Sequence, residues 1–442
     1  MTARAALCTA LCLALLSGAA SAFELWSDES GERSLDLNTT VKWTSLLSRA
    51  PDDTTLFPEE WTAAALWRGR IALDARPHPG IRVDVAYEVR ARVESEAGGG
   101  GGALVLPSTL PAPYRIRQLD DDIIETMEGL TLRHELDRAS VNLAFGNADV
   151  TVGRQAVGWG RGLYFSVVDI FAPFSPLESD REWRRGIDAV RFRLPFTDLW
   201  TLDAVGAFDE REEQSSFAAR AHGYVGDIDG ELLFGSRREA VFYAATASMP
   251  LFDAEIHGEA AVFIEPEGVT FVGTDAGRLD GLDQAPRRGP AWDDPSKQDA
   301  VLKALVGTSR SFDVLAGLYM VAEYHYSGYG LEDPTTVTEL DESSPFFDRY
   351  LRGDTQMLGR HAVAVQATYG FAGTAPISVT WLGSPVDGSG VFIPAVSWSF
   401  SDSITLTAQA YFALGEDSAD GELRSEYGAT PASVLAQISF YY

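Results

Sequence analysis

The chain has 442 residues, 45% of them hydrophobic, 11% aromatic and 22% charged, which excludes a disordered chain, a collagen and a helical rod. Its 35 basic residues stand against 64 acidic ones, and the net charge of −29 would repel phosphates, so no nucleic-acid partner is expected. The two cysteines, Cys8 and Cys12, both precede the small-residue stretch at 20–22, so the remainder holds no disulfide framework, zinc finger or iron–sulfur site.

Residues 1–22 read as a secretory signal peptide. Arg4 supplies a positive start, and Ala5 to Leu16 form an apolar run too short to span a bilayer. Ala20-Ser21-Ala22 is a small-residue cleavage site, so the exported chain is expected to begin at Phe23 without a thiol, as suits an oxidising compartment. Residues 23–34 form a short lead, too short for a globular plug.

The residues that follow alternate. In 81–94, Ile81, Val83, Val85, Tyr87, Val89, Ala91 and Val93 fall on one face, and Arg82, Asp84, Glu88, Arg90, Arg92 and Glu94 on the other. Segments 35–47, 62–76, 187–194, 254–265, 313–327, 360–371, 404–413 and 432–442 repeat this pattern. Segment 128–146 needs a shift of phase near Asp137, read as a bulge; a hairpin there would change the strand count and polarity. Such strands are long for a soluble sheet. Turn-forming residues recur at 77–80, 146–147, 195–198, 226–230, 250–253, 309–313, 372–376 and 401–403. The long connections, 48–61, 95–128, 158–186, 266–298, 328–358 and 414–430, all fall between these turns, hence at the opposite end.

The expected fold is all-β: a single transmembrane antiparallel β-barrel over 35–442, with about 18 strands and 16 or 20 left open. Short turns at one end and long loops at the other fit an outer-membrane barrel, and closure follows because hydrocarbon leaves no partner for a sheet edge. The last strand puts Val434, Ala436, Ile438, Phe440 and Tyr442 on one face. It resembles the terminal signature of bacterial outer-membrane proteins, which implies recognition by the barrel-assembly machinery. Lipid and lipopolysaccharide are the other expected partners.

A barrel of this size without a plug leaves a watery lumen, so the expected function is a channel for small polar solutes. The register turns Arg68, Arg70, Arg76, Arg82, Arg90, Arg92, Arg191 and Arg193 inward. Further along, Asp203, Asp209, Glu255, Glu259, Glu265 and Glu323 point inward with Arg220, His222 and His257. An arginine wall facing an acidic wall would tune selectivity for anionic or saccharide solutes; the other reading has these charges pairing with one another.

The densest motif runs Gly153-Arg154-Gln155, Trp159-Gly160-Arg161-Gly162, Asp169-Ile170-Phe171-Ala172-Pro173-Phe174 and Arg184-Arg185-Gly186-Ile187-Asp188. Segment 158–186 is expected to fold into the lumen, with Arg154, Arg161, Arg184 and Arg185 either pairing with Asp169, Asp180 and Asp188 or meeting solute. A compact external loop is the alternative. The Gly-Arg-Gln, Trp-Gly and Asp-x-x-x-Pro stretches resemble alginate-export-type and related porin-like outer-membrane barrels. That resemblance implies a barrel of 18 or so strands passing anionic polysaccharide or small solutes.

Six histidines lie scattered at 78, 134, 222, 257, 325 and 361 without metal-ligand spacing, so no metal or other cofactor is expected. His325 and Ser327 resemble the His-x-Ser of the outer-membrane phospholipase family, which would imply an esterase. The expected lumen-facing register argues against it, and the chain is read as a non-enzyme. A scaffold or sheath for partner proteins is a third possibility. Gly98 to Gly102 form a flexible run, and the acidic loop 266–298, with Asp275, Asp280, Asp283, Asp293 and Asp294, could meet divalent ions.

Overall fold

The computed structural model describes residues 23–95, 105–106, 112–117, 121–127, 129–265, 300–314, 316–341, 344–371 and 373–442. The signal peptide, the five-glycine run and the acidic loop 266–298 lie outside the described residues.

Alternation becomes strand throughout. After a short β1 (Phe23–Ser27) come β2 (Ser34–Arg49), β3 (Trp61–His78), β4 (Ile81–Glu94), a short β5 (Asp121–Met127), β6 (Leu130–Phe145) and β7 (Ala148–Gln155). The middle of the chain supplies β8 (Ile187–Pro195), β9 (Trp200–Ala207), β10 (Ser216–Val225), β11 (Ile228–Arg237), β12 (Ala240–Leu251), β13 (Ala254–Ile264) and β14 (Ala300–Phe312). Then follow β15 (Leu318–Ser327), β16 (His361–Phe371), β17 (Ala375–Gly383), β18 (Gly390–Ser401), β19 (Ile404–Leu414) and β20 (Ala432–Tyr441). A short α-helix, α1 (Pro345–Leu351), is capped by the Ser344 hydroxyl.

Eighteen of these strands pair antiparallel with their neighbours in chain order, and β20 closes the ring on β2 from Thr40↔Tyr441 to Arg49↔Ala432. The barrel and its strand number are therefore as expected. β1 pairs with β2 beyond the end of β20, and β5 with β6 beyond the end of β7, so neither belongs to the ring. The bulge also sits where the pattern required it. Ala86 faces Arg138 and Tyr87 faces Leu136, which leaves Asp137 without a partner.

One boundary differs. Ser309 to Phe312 remain in β14, so β15 begins at Leu318 rather than at 313. The reversal needs a left-handed residue, which Gly317 supplies at φ 86°.

The two faces of the barrel invert the order of a soluble protein. Trp43, Leu47, Ile71, Val141, Phe217, Leu232, Phe234 and Val306 are exposed on the outside, whereas Lys42, Arg68, Glu88, Glu259 and Glu323 are buried on the inside. An apolar belt around a polar interior is the arrangement lipid demands. The apolar core joins Val157 and segment residues Trp159, Phe165 and Phe171 to the inner-face residues Val205, Leu233, Phe263 and Leu305.

Candidate functional site

Most inward charges of β3, β4 and β6 are joined through shared ion pairs. Glu88, fully buried, meets Arg68 at 2.8 Å, Arg70 at 3.5 Å and Arg90. Arg90 also reaches Glu135 at 3.2 Å, and Arg92 bonds Glu94 at 2.7 Å. The bulge puts the Asp137 carboxylate within 2.6 Å of Arg70 and 2.7 Å of Arg138, while its other oxygen accepts the Gly186 N–H. The same rule holds further round. Arg191 and Arg220 share Asp203, and Arg220 also meets Glu231 at 3.0 Å. The arginines therefore do not stand as a free wall opposite the acids; each of these has an acid beside it.

The acids of β13 and β15 serve the segment between β7 and β8. Glu259 accepts N–H bonds from Gly162 at 3.0 Å, Val167 at 2.7 Å and Val168 at 3.2 Å, and from Arg161. Glu323 accepts from Leu163 at 2.5 Å, Tyr164 at 3.0 Å and Phe165 at 3.3 Å, and lies 3.3 Å from His257. The backbone wraps both carboxylates closely. A Cβ on Gly162 would stand 1.7 Å from the Phe165 carbonyl oxygen, which is why this tight stretch carries glycine. Charge-assisted bonds of this kind are worth about 1.5–3 kcal/mol each, so the two acids are strong anchors.

Other contacts of the segment reach far round the ring. Arg161 bonds Asp229 on β11 and Thr246 and Ser248 on β12. The Tyr164 hydroxyl meets Thr380 on β17 at 2.9 Å, and Lys42 on β2 bonds Asp180 at 2.8 Å and Glu182 at 2.6 Å. Trp183 lies under three cations, with Lys42, Arg68 and Arg70 at 4.1, 4.7 and 5.0 Å from its ring. Arg154 bonds Asp188, and Arg184 bonds Asp169 and the Ala172 carbonyl. Burial pushes the Asp169 carboxyl up to about 6 even with Arg184 beside it.

Of the residues proposed from sequence, Arg68, Arg70 and Arg90 meet at Glu88, Arg154 bonds Asp188, Arg184 bonds Asp169, Glu259 and Arg161 hold the segment, Arg191 joins the cluster at Asp203, and Arg92 pairs with its strand neighbour Glu94. Arg185 is partly buried beside Arg184. Arg82, Arg193 and Glu255 stay apart near the short turns; Arg82 is exposed against Asp74, and Arg193 faces Asp149 and Asp203 in register. Sequence reasoning missed Glu88, Glu135, Lys42, Trp183 and the anchoring role of Glu323. Glu88 was signalled by sharing its face with Arg90 and Arg92. Nothing local pointed to Trp183.

His325 and Ser327 both turn inward and are buried, and the His325 ring stacks on Phe165 with centroids 5.2 Å apart. Nε2 of His325 and Oγ of Ser327 have no hydrogen-bond partner, so the contact that would activate the serine is not made.

No protein-family model matches the sequence, and no curated protein matches it. The fold, by contrast, has many counterparts among solved structures. OccAB1 from Acinetobacter baumannii aligns at TM-score 0.54 and 9% identity, over 96% of this chain and 99% of that one. A BenF-like porin from Pseudomonas fluorescens Pf-5 aligns at TM-score 0.52 and 10% identity, over 92% and 98%. OccK9 (OpdG) from Pseudomonas aeruginosa aligns at TM-score 0.51 and 9% identity, over 92% and 98%. At such identities the likeness is one of fold: a porin-like barrel matched from end to end.

Proposed function

We propose that the chain is a bacterial outer-membrane channel passing small polar solutes, with segment 158–186 lying across the lumen and narrowing it. One observation carries the reading: a single segment bonds the inward-facing side chains of β2, β12, β15 and β17, strands spread around the ring. A stretch of chain that touches so many sectors of one inner wall has the lumen as its natural place. The porin-like counterparts support the same function. The apolar outer belt supports contact with membrane lipid and lipopolysaccharide, and the terminal strand supports assembly by the barrel machinery.

Within this reading the solute could be anionic, as the resemblance of the Gly153 to Asp188 stretch to alginate-export-type barrels implies. The paired state of the arginines weighs against a strong anion preference, because each buried guanidinium already has a carboxylate. The buried, unbonded His325 and Ser327 support a channel rather than an esterase. Full-length protein refolded into planar bilayers is expected to give discrete conductance steps with modest ion selectivity. A folded barrel that conducts nothing and instead co-purifies with partner proteins would favour the scaffold reading.

A further inference from the structure

Beside the segment a polar cavity of about 210 Å³ remains, bounded on one side by Lys42, Ser179, Asp180 and Glu182 and on the other by the inner faces of β18, β19 and β20. The two sides differ in kind. On the charged side Lys42 is already bonded to both Asp180 and Glu182, and Asp180 also lies 3.4 Å from Arg68. An incoming anion therefore finds no free cation, and it meets Glu182, whose side chain is 38% exposed.

The opposite side carries no carboxylate, ammonium or guanidinium; Tyr441 lines it, and its hydroxyl donates to Glu182 at 2.9 Å. Strands β16 to β20 contain no Asp, Glu, Lys or Arg, on either face. Apart from Leu435 and Tyr441, their cavity wall is built from hydroxyls and amides in register: Ser397 faces Thr407, Thr407 faces Gln437 and Thr405 faces Ser439. Facing side chains on adjacent strands stand about 5 Å apart, so the wall offers a grid of neutral donors and acceptors. Such a grid exchanges hydrogen bonds with a polyhydroxylated solute as readily as water does, and it attracts no ion.

We infer that the channel selects neutral, hydroxyl-rich solutes of the size of a monosaccharide, which move along the wall of β18–β20 past Asp180 and Glu182. This rests on the channel reading above and names its substrate class. The charged arc then fixes the segment in place, and the uncharged arc is the path.

The test measures uptake of labelled glucose, gluconate and protonated glucosamine into proteoliposomes holding the full-length chain, all in the same salt. Glucose is expected to enter several times faster than gluconate. Gln437→Leu and, independently, Thr407→Val should each lower the glucose-to-gluconate ratio by about threefold to tenfold, the loss expected from one or two hydrogen bonds. Glu182→Gln should lower it from the other side, by speeding gluconate. Gluconate entering as fast as glucose, or a ratio that neither wall variant moves, would overturn the inference while leaving a channel. Absence of uptake for all three solutes by folded protein would overturn the channel reading itself.

Discussion

Two arcs of one wall are built on opposite principles. Strands β3 and β4 carry Arg68, Arg70, Asp74 and Arg76, then Arg82, Asp84, Glu88, Arg90, Arg92 and Glu94, and much of this charge is buried in pairs. Strands β16 to β20 carry no such residue, and their inner faces hold Gln, Ser and Thr. The difference shows what charge does in this lumen. Much of it pairs within the wall or with residues of segment 158–186, at the desolvation cost that buried pairs incur. If the channel reading holds, a count of inward arginines describes fastening rather than selectivity.

The largest effect that would sharpen this contrast comes from the anchors. Replacing Glu259 and Glu323 together by alanine removes the acceptors of at least six backbone N–H groups. Segment 158–186 should become open to proteolysis in the folded barrel, where the wild type resists; equal resistance would break the account. Next comes Glu88→Ala, which takes the carboxylate shared by Arg68, Arg70 and Arg90 and leaves them only Asp180, Asp137 and Glu135. It should lower barrel stability by about 3–5 kcal/mol in urea unfolding from vesicles, whereas Thr407→Val on the neutral arc should cost far less.

A smaller effect follows from Asp169. Its folded value of about 6 lies above the ordinary carboxylate value, so the proton favours the folded state. That contribution is fully present below about pH 4 and is lost as the pH rises through about 6; it amounts to on the order of 1–3 kcal/mol. Asp169→Asn should abolish this part of the pH dependence of thermal unfolding, and an unchanged slope between pH 5 and 7 would refute the assignment. The smallest effect belongs to Arg82→Ala. Its pair with Asp74 is exposed near the short turns, so stability should move by less than about 1 kcal/mol and conductance hardly at all.

Much of this was legible in the sequence. Period two named the faces of β4, β13, β19 and β20 because lipid on one side and water on the other enforce strict alternation. The broken phase at Asp137 located the bulge. The uncharged stretch from His361 to Tyr441, interrupted only by its loops, was equally visible as composition. Cross-strand partners were not, because period two gives a face and not a register. Arg70 meets Asp137 across 67 positions, and only the unpaired bulge residue places that carboxylate there. The grip of Glu323 on Leu163 spans 160 positions and runs to backbone N–H groups, which leave no trace in residue identity.

The claim that segment 158–186 lies across the lumen is tested most directly by single-channel conductance in planar bilayers with residues 163–180 deleted. A larger conductance than that of the full-length chain, from a barrel that still folds, is the result expected. An identical conductance would place the segment outside the path and contradict the account.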